Sequence, residues 1–201
     1  MMRKKLKVKY DFPKSRIRQF YLFSDHIKKI AKYFKPLLKD TNNSVIDKID
    51  VFTRCALDHS IFNIELLHNE EGFPGLPVFD DLILGTAQEG TGSTVIKVSE
   101  HKICYPKNGF FVAFEWLPLL DNEFEFSYHR RNVNEKYIGT TLEPSVGLYP
   151  SLEPDTFVLF EGKWKKSKRK GIIFQDYKNK YQNLAIELKL RSDLNCCDNL
   201  S

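Results

Sequence analysis

Residues 109–117 read GFFVAFEWL, and their pattern of side chains indicates the architecture of the whole chain. In an extended chain, even positions 110 to 116 place Phe, Val, Phe and Trp on one face, while positions 111 and 113 place Phe and Ala on the other. Apolar residues on both faces predict a strand in the middle of a sheet, with Trp116 in the core. Glu115 then needs a partner if it is buried, so a structural salt bridge is favoured over a pocket carboxylate.

Outward from this stretch, short runs of alternating or β-branched residues recur along the chain, separated by Gly, Pro, Asn and Asp. The clearest predicted strands cover residues 6–10, 45–52, 60–67, 81–84, 93–98, 109–117, 123–128, 156–160, 170–174 and 184–190. Residues 27–38 are the best helix candidate, with Asp25 near the cap position, although a strand over 29–34 stays open. The pattern predicts an all-β, two-sheet antiparallel sandwich, jelly-roll-like, with at most one short helix.

The 201 residues are 42% hydrophobic and 13% aromatic, which excludes a disordered chain. No apolar run approaches the roughly 18 residues of a membrane span. We expect a single β-sandwich domain over residues 1–190 and a polar, disordered tail over 191–201. The basic segment at the start is not followed by the apolar region of a signal peptide, which by itself predicts a cytoplasmic protein.

Charge is unevenly distributed: residues 1–40 carry 13 Lys or Arg against 3 Asp or Glu, residues 41–161 carry 8 against 19, and residues 162–180 carry 8 against 1. The strongest candidate for binding an anion is the basic cluster around Trp164. Its members are Lys163, Lys165, Lys166, Lys168 and Arg169. The alternative is a charged hairpin tip at residues 165–171 that discourages edge-to-edge pairing. Nucleic acid is a disfavoured partner because no RNA- or DNA-binding motif accompanies the cluster.

Motifs for catalysis and metal binding are missing from the sequence. The glycine-rich run at residues 85–94 lacks the lysine of a phosphate-binding loop and is predicted to be a flexible loop. The S-x-x-K match at Ser99 lacks its companion motifs. The five histidines have no metal-ligand spacing, and Cys55 and Cys104 are predicted to be small buried thiols. We therefore expect no catalytic residues, no cofactor and no metal.

Aromatic side chains near predicted loops are candidates for ligand binding, because flat ring faces beside polar groups suit the recognition of sugars. The alternative is a structural role, in which these rings cover the open ends of the sandwich. Residues 132–154, rich in Gly and Pro, are predicted to be a long irregular crossing where such a site would lie. The candidate ligand-binding residues are Tyr128, His129, Arg130, Tyr137, Tyr149 and Trp164.

One block resembles a known family. A strand at residues 46–52, another at 62–67, the turn GFPG at 72–75 and the stretch PKNGFFVAFEW at 106–116 are similar to the β-sandwich domain that accompanies carboxypeptidase-regulatory-like domains in bacterial envelope proteins. The resemblance implies a jelly-roll-like module and a location in the cell envelope. It supplies no catalytic residues.

Three functions follow from these observations. The first is a non-catalytic binding or structural module that binds glycan or another envelope component through loop aromatics. The second is a hydrolase that uses Glu115 with another carboxylate across a cleft. The third is an anion or nucleic-acid binder that uses the two basic segments.

Overall fold

The protein is a sandwich of antiparallel strands, seen in a computed structural model that describes residues 5–8, 12–36, 44–129 and 136–193. Helical structure in these ranges is limited to short turns of 3-10 helix. The strands are β1 (Lys5–Val8), β2 (Gln19–Tyr21), β3 (Lys29–Phe34), β4 (Ser44–Glu70), β5 (Phe73–Pro77), β6 (Ile83–Lys97), β7 (Phe110–Trp116), β8 (Glu123–His129), β9 (Lys136–Leu142), β10 (Ser145–Ser151), β11 (Thr156–Phe160), β12 (Lys163–Lys166), β13 (Tyr181–Leu184) and β14 (Ile186–Ser192).

Strand β4, 27 residues long, belongs to both layers. Its first half pairs with β14 and β10, and its second half pairs with β7 and β5. Strand β6 accompanies β4 along both halves, with an irregularity in the register between Cys55 and His59. One layer is therefore built on β1, β14 and the start of β4, and is continued by β10, β2 and β13. The other runs from the end of β4 through β7, β3 and β11 to β12.

The main core lies between these layers. Trp116, Phe62 and Phe114 are almost fully buried, and the rings of Phe62 and Phe114 are 4.5 Å apart. They pack in one cluster with apolar residues of β14 such as Leu188. Strand β7 is flanked by β3 and β4 and is buried on both faces, as its sequence predicts. The prediction of an all-β, two-sheet antiparallel sandwich is confirmed.

The preferred helix at residues 27–38 is wrong, and the strand alternative is correct. Ile30 and Phe34 point into the main core, while Ala31 packs in a second apolar cluster on the outer face of the same layer. A strand that is buried on both faces places apolar residues at spacings of one, three and four, and these spacings imitate a helix.

Three further local predictions differ from the structure. The glycine-rich run at 85–94 lies within β6, where it pairs with β4 and lines an open groove of about 540 Å³. The predicted irregular crossing at 132–154 contains β9 and β10. The predicted strand at 170–174 is reduced to two isolated bridges followed by a bend.

The cysteines also differ from expectation in part. Cys55 is free and buried, as predicted. Cys104 is disulfide-bonded, so the prediction that it is a buried thiol is wrong. At the carboxyl end, β14 continues through Ser192, and residues 194–201 of the predicted tail lie outside the described part of the chain. None of the described helical turns is long and apolar enough to span a membrane.

Candidate ligand-binding ribbon

Strands β8 and β9 form a separate two-stranded ribbon. Its register places Glu123 opposite Leu142 and Tyr128 opposite Tyr137. Because side chains alternate along a strand, one face carries Phe124, Phe126, Tyr128 and Tyr137, and the other carries the glutamates. We call the first of these the ring face.

The rings on this face form a ladder. The centroids of Tyr128 and Tyr137 are 5.8 Å apart with the planes at 26°, and those of Phe126 and Tyr128 are 5.9 Å apart. Phe126 is 39% exposed and Tyr128 is 40% exposed. A Cβ at Gly139, opposite Phe126, would lie 2.9 Å from the Phe126 ring, so glycine lets that ring lie against the strand. The ring face is therefore an aromatic surface of neighbouring rings that remains partly open to solvent.

The root of the ribbon is fastened by Asn122, whose side chain is buried. Its Oδ1 accepts hydrogen bonds from Ile61 N and Ser60 Oγ, both at 2.8 Å. Its Nδ2 donates to Ile61 O at 2.7 Å and to Leu117 O at 2.9 Å. The carboxamide thus pairs with both backbone groups of Ile61, as a neighbouring strand would, just beyond the point where β7 ends.

A cleft of about 340 Å³ lies between the root of the ribbon and the chain between β2 and β3. Phe23 and Trp116 are among its apolar lining residues. Its polar groups include Asp25, Lys28 and Glu123, with two threonines of β9. An apolar wall with a few polar groups is the usual composition of a site for a small ligand.

The predicted ligand residues are divided by the fold. Tyr128 and Tyr137 are brought together on the ring face. His129 is the last residue of β8, opposite Lys136, and Arg130 lies outside the described residues. The remaining two, Tyr149 and Trp164, lie elsewhere in the fold.

Tyr149 is buried, with its hydroxyl 3.1 Å from Asp155 and the Lys32 amine 4.7 Å from its ring centroid. Burial raises the pKa of Asp155 and lowers the pKa of Lys32, and their opposite charges partly offset both shifts. The amine of Lys32 also donates to Ile186 O at 2.9 Å. The ring of Tyr149 thus covers a buried charged cluster, which leaves it inaccessible to a ligand on the surface.

Trp164 is half-buried on β12 and packs against the outer apolar cluster formed by Phe157 and Phe111, among others. The predicted anion-binding residues lie along and after the same strand. Lys165 covers the ring of Phe160 at 4.2 Å, and Lys166 lies 5.7 Å from that of Phe157. In the described ranges β12 pairs only with β11. The turn that joins them is at residues 161–162, so the predicted tip at 165–171 is wrong.

Glu115 forms the structural contacts expected of it. Its carboxylate lies 3.4 Å from the Lys29 amine and accepts a hydrogen bond from Asn63 at 2.9 Å. Lys29 also contacts Glu65 at 2.7 Å. The negative charge of the Glu115 carboxylate is therefore paired with Lys29 within the sheet. No cluster of three metal-ligating side chains is found among the residues that the structure describes.

Sequence reasoning missed the residues that build the root and the cleft. Asn122 and Phe23 occupy no recognisable motif, and Lys28 belongs to the segment that resembled a helix. A usable signal was present in β8, where Phe124, Phe126 and Tyr128 alternate with polar residues. That pattern identifies a ribbon with one aromatic face, but the sequence does not show whether the face is covered.

Comparisons with known proteins add evidence on the fold. No family model matches the chain, and no curated protein matches it significantly. Among solved structures, the clostridial cysteine protease Cwp84 after propeptide cleavage is similar with a TM-score of 0.56 and 10% identity, over 94% of this chain and 40% of that chain. A structure of the cysteine protease and lectin-like domains of Cwp84, described as a surface layer associated protein of Clostridium difficile, gives a TM-score of 0.50 and 12% identity, over 82% and 32%. This chain therefore spans less than half of either structure, and at these identities the likeness concerns the β-sandwich fold.

Proposed function

We propose that this domain is a non-catalytic binding module that recognises a glycan of the cell envelope through the ring face. The observation that carries the proposal is the row of neighbouring rings of Phe126, Tyr128 and Tyr137, of which Phe126 and Tyr128 are exposed and Tyr137 is half-buried. The apolar C–H faces of a sugar stack on such rings, while its hydroxyls bond to polar groups and water beside them. The ladder is long enough for successive rings to meet successive sugars of a chain.

The cleft at the root is a separate polar site, because Glu123, Thr140 and Leu142 lie on the face of the ribbon opposite the ring face. Asp25, Lys28 and Glu123 offer charged donors and acceptors for sugar hydroxyls beside an apolar wall. A glycan stacked on the ring face and a ligand held in the cleft therefore occupy opposite sides of the ribbon.

Two observations support a location in the envelope. Cys104 is disulfide-bonded, and disulfides persist mainly in oxidising compartments outside the cytosol. One similar structure is described as containing a lectin-like domain of a surface layer associated protein.

A glycan array followed by titration calorimetry tests the proposal. Tyr128→Ala and Tyr137→Ala should each weaken binding by about tenfold, because each removes one stacked ring. Phe73→Ala is the matched control, since Phe73 is a 48% exposed ring on β5 and should leave affinity unchanged. Equal binding by wild type and both tyrosine variants would contradict the proposal, as would an array without any bound glycan.

The hydrolase alternative is favoured by one observation: Asp25 and Glu123 both line the cleft. A pair of carboxylates across a cleft is the usual arrangement in enzymes that cleave glycosidic bonds. Mass spectrometry of a bound oligosaccharide after incubation distinguishes the two functions. A binding module leaves the oligosaccharide intact, whereas a hydrolase shortens it and loses that activity in Glu123→Gln.

A further inference from the structure

A second exposed apolar surface lies far along the chain from the ribbon, in residues 168–180. At its tip Ile172 is 81% exposed and Ile173 is 77% exposed, next to the 37% exposed Phe174. Large aliphatic side chains are common on protein surfaces singly, but adjacent ones at the end of a loop indicate an interaction site. We call residues 168–180 the basic loop.

The basic loop is held in a fixed shape from below. Gly171 N donates to Lys180 O at 3.0 Å, and Asn179 N donates to Gly171 O at 3.1 Å, which closes the neck. Tyr177 fills the interior of the loop, with 1% of its surface exposed, and its hydroxyl donates to Leu148 O at 2.8 Å. A Cβ at Gly171 would lie 2.5 Å from Tyr177 O, so the packing needs glycine there. The isoleucines are therefore presented by a rigid support.

The neck of the basic loop is strongly cationic. Lys168, Arg169 and Lys170 precede the apolar tip directly, and Lys178 and Lys180 follow it. The single acidic residue in this segment, Asp176, is paired with Arg16. The adjoining strand β12 adds Lys163, Lys165 and Lys166, which are exposed. An apolar tip flanked by cations matches the surface of an anionic bilayer, where acyl chains lie beneath negatively charged headgroups.

We propose that the basic loop docks this domain on an anionic lipid surface, with Ile172 and Ile173 inserted at the boundary between headgroups and acyl chains. The surrounding lysines bind the phosphates of the headgroups. Attachment of this kind is peripheral and reversible, because a single short loop buries little apolar area. Docking uses residues other than those of the ring face, so it is independent of the function proposed above.

Vesicle flotation tests the docking. Wild-type protein should float with vesicles of 70% phosphatidylcholine and 30% phosphatidylglycerol, and binding to phosphatidylcholine alone should be at least tenfold weaker. The double variant Ile172→Ser/Ile173→Ser should lose about tenfold or more of its affinity for the anionic vesicles. The matched control is Leu82→Ser, since Leu82 is 72% exposed but follows Asp80 and Asp81, and it should bind like wild type.

Two further arms separate the sources of the binding. Lys168→Gln/Lys178→Gln should weaken binding to anionic vesicles and should not change binding to neutral vesicles. The reason is that these lysines contribute only through their charge. Soluble polyphosphate tests for phosphate binding alone. The proposal is overturned if wild type does not float with anionic vesicles, or if the isoleucine variant binds them as well as wild type. In the second case, charge alone accounts for binding. A protein partner, rather than lipid, would be indicated if the tip variants changed self-association without changing flotation.

Discussion

The variant Asn122→Ala tests whether the Asn122 side chain holds the root of the ribbon in place. The Asn122 carboxamide makes four hydrogen bonds, and the two with Ile61 replace the strand that is missing beyond β7. Ser60 Oγ also donates to Glu143 O at 2.6 Å, so removing its hydrogen bond to Asn122 costs the least. Ile61 N and Ile61 O then lose their partner in a site that is largely closed to water, whereas Leu117 O keeps the hydrogen bond from Leu119 N at 2.8 Å.

Each buried group left without a partner costs about 1–3 kcal/mol, with partial relief where water can enter. With two such groups, we expect Asn122→Ala to lower the free energy of unfolding by about 2–4 kcal/mol, a large part of the roughly 5–15 kcal/mol of a typical domain. Urea unfolding followed by the fluorescence of Trp116, which is buried beside the root, measures this change. Asn69→Ala is the matched control, since Asn69 makes two hydrogen bonds at 2.9 Å in an exposed hairpin.

The conservative variant Asn122→Asp sharpens the test. A carboxylate keeps both acceptor roles but faces Ile61 O and Leu117 O without a proton to donate. Its pKa in the folded protein should be raised, so its protonated form stabilises the fold at low pH, and that stability is lost as the pH rises through the folded pKa. Asn122→Asp should thus be nearer to wild type at pH 4 than at pH 8. The reasoning is refuted if Asn122→Ala lies within about 0.5 kcal/mol of wild type, the range of ordinary surface substitutions.

Three other outcomes are expected. Lys32→Met should lower the midpoint of urea unfolding, because the buried carboxylate of Asp155 loses its positive neighbour. This decrease should be smaller at pH 4 than at pH 8. Burial already raises the pKa of Asp155, and protonation at low pH removes the charge that Lys32 compensates. Burial raises the pKa of Tyr105, so its neutral form stabilises the fold below about pH 10 and this contribution falls as the pH rises further. Tyr105→Phe should therefore flatten the decline of stability above pH 10, although it loses the hydrogen bond to Lys35 O. Gly139→Val should displace the Phe126 ring and weaken glycan binding in calorimetry, while the unfolding midpoint changes little; unchanged affinity would argue against the ring face.

The sequence indicated the ring face only in part. The alternation of Phe124, Phe126 and Tyr128 identified a strand, and Tyr137 was selected as a candidate ligand residue. Tyr149 was selected for the same reason, namely an aromatic residue in a segment rich in Gly and Pro. The structure separates them because Tyr149 is buried among Ile17, Phe52 and Ala185 and lies against Lys32, whereas Phe126 and Tyr128 are exposed.

By itself, the amino-acid sequence determined that the chain is all-β and that β7 is a central strand with Trp116 in the core. This information is local, because the alternation of side chains along a strand records which of its faces are buried. Three features appear only in the folded chain: residues 29–34 form a strand, Asn122 closes the end of β7, and Tyr128 rather than Tyr149 is exposed. These features depend on what packs against a residue from distant parts of the chain, and no local pattern carries that information.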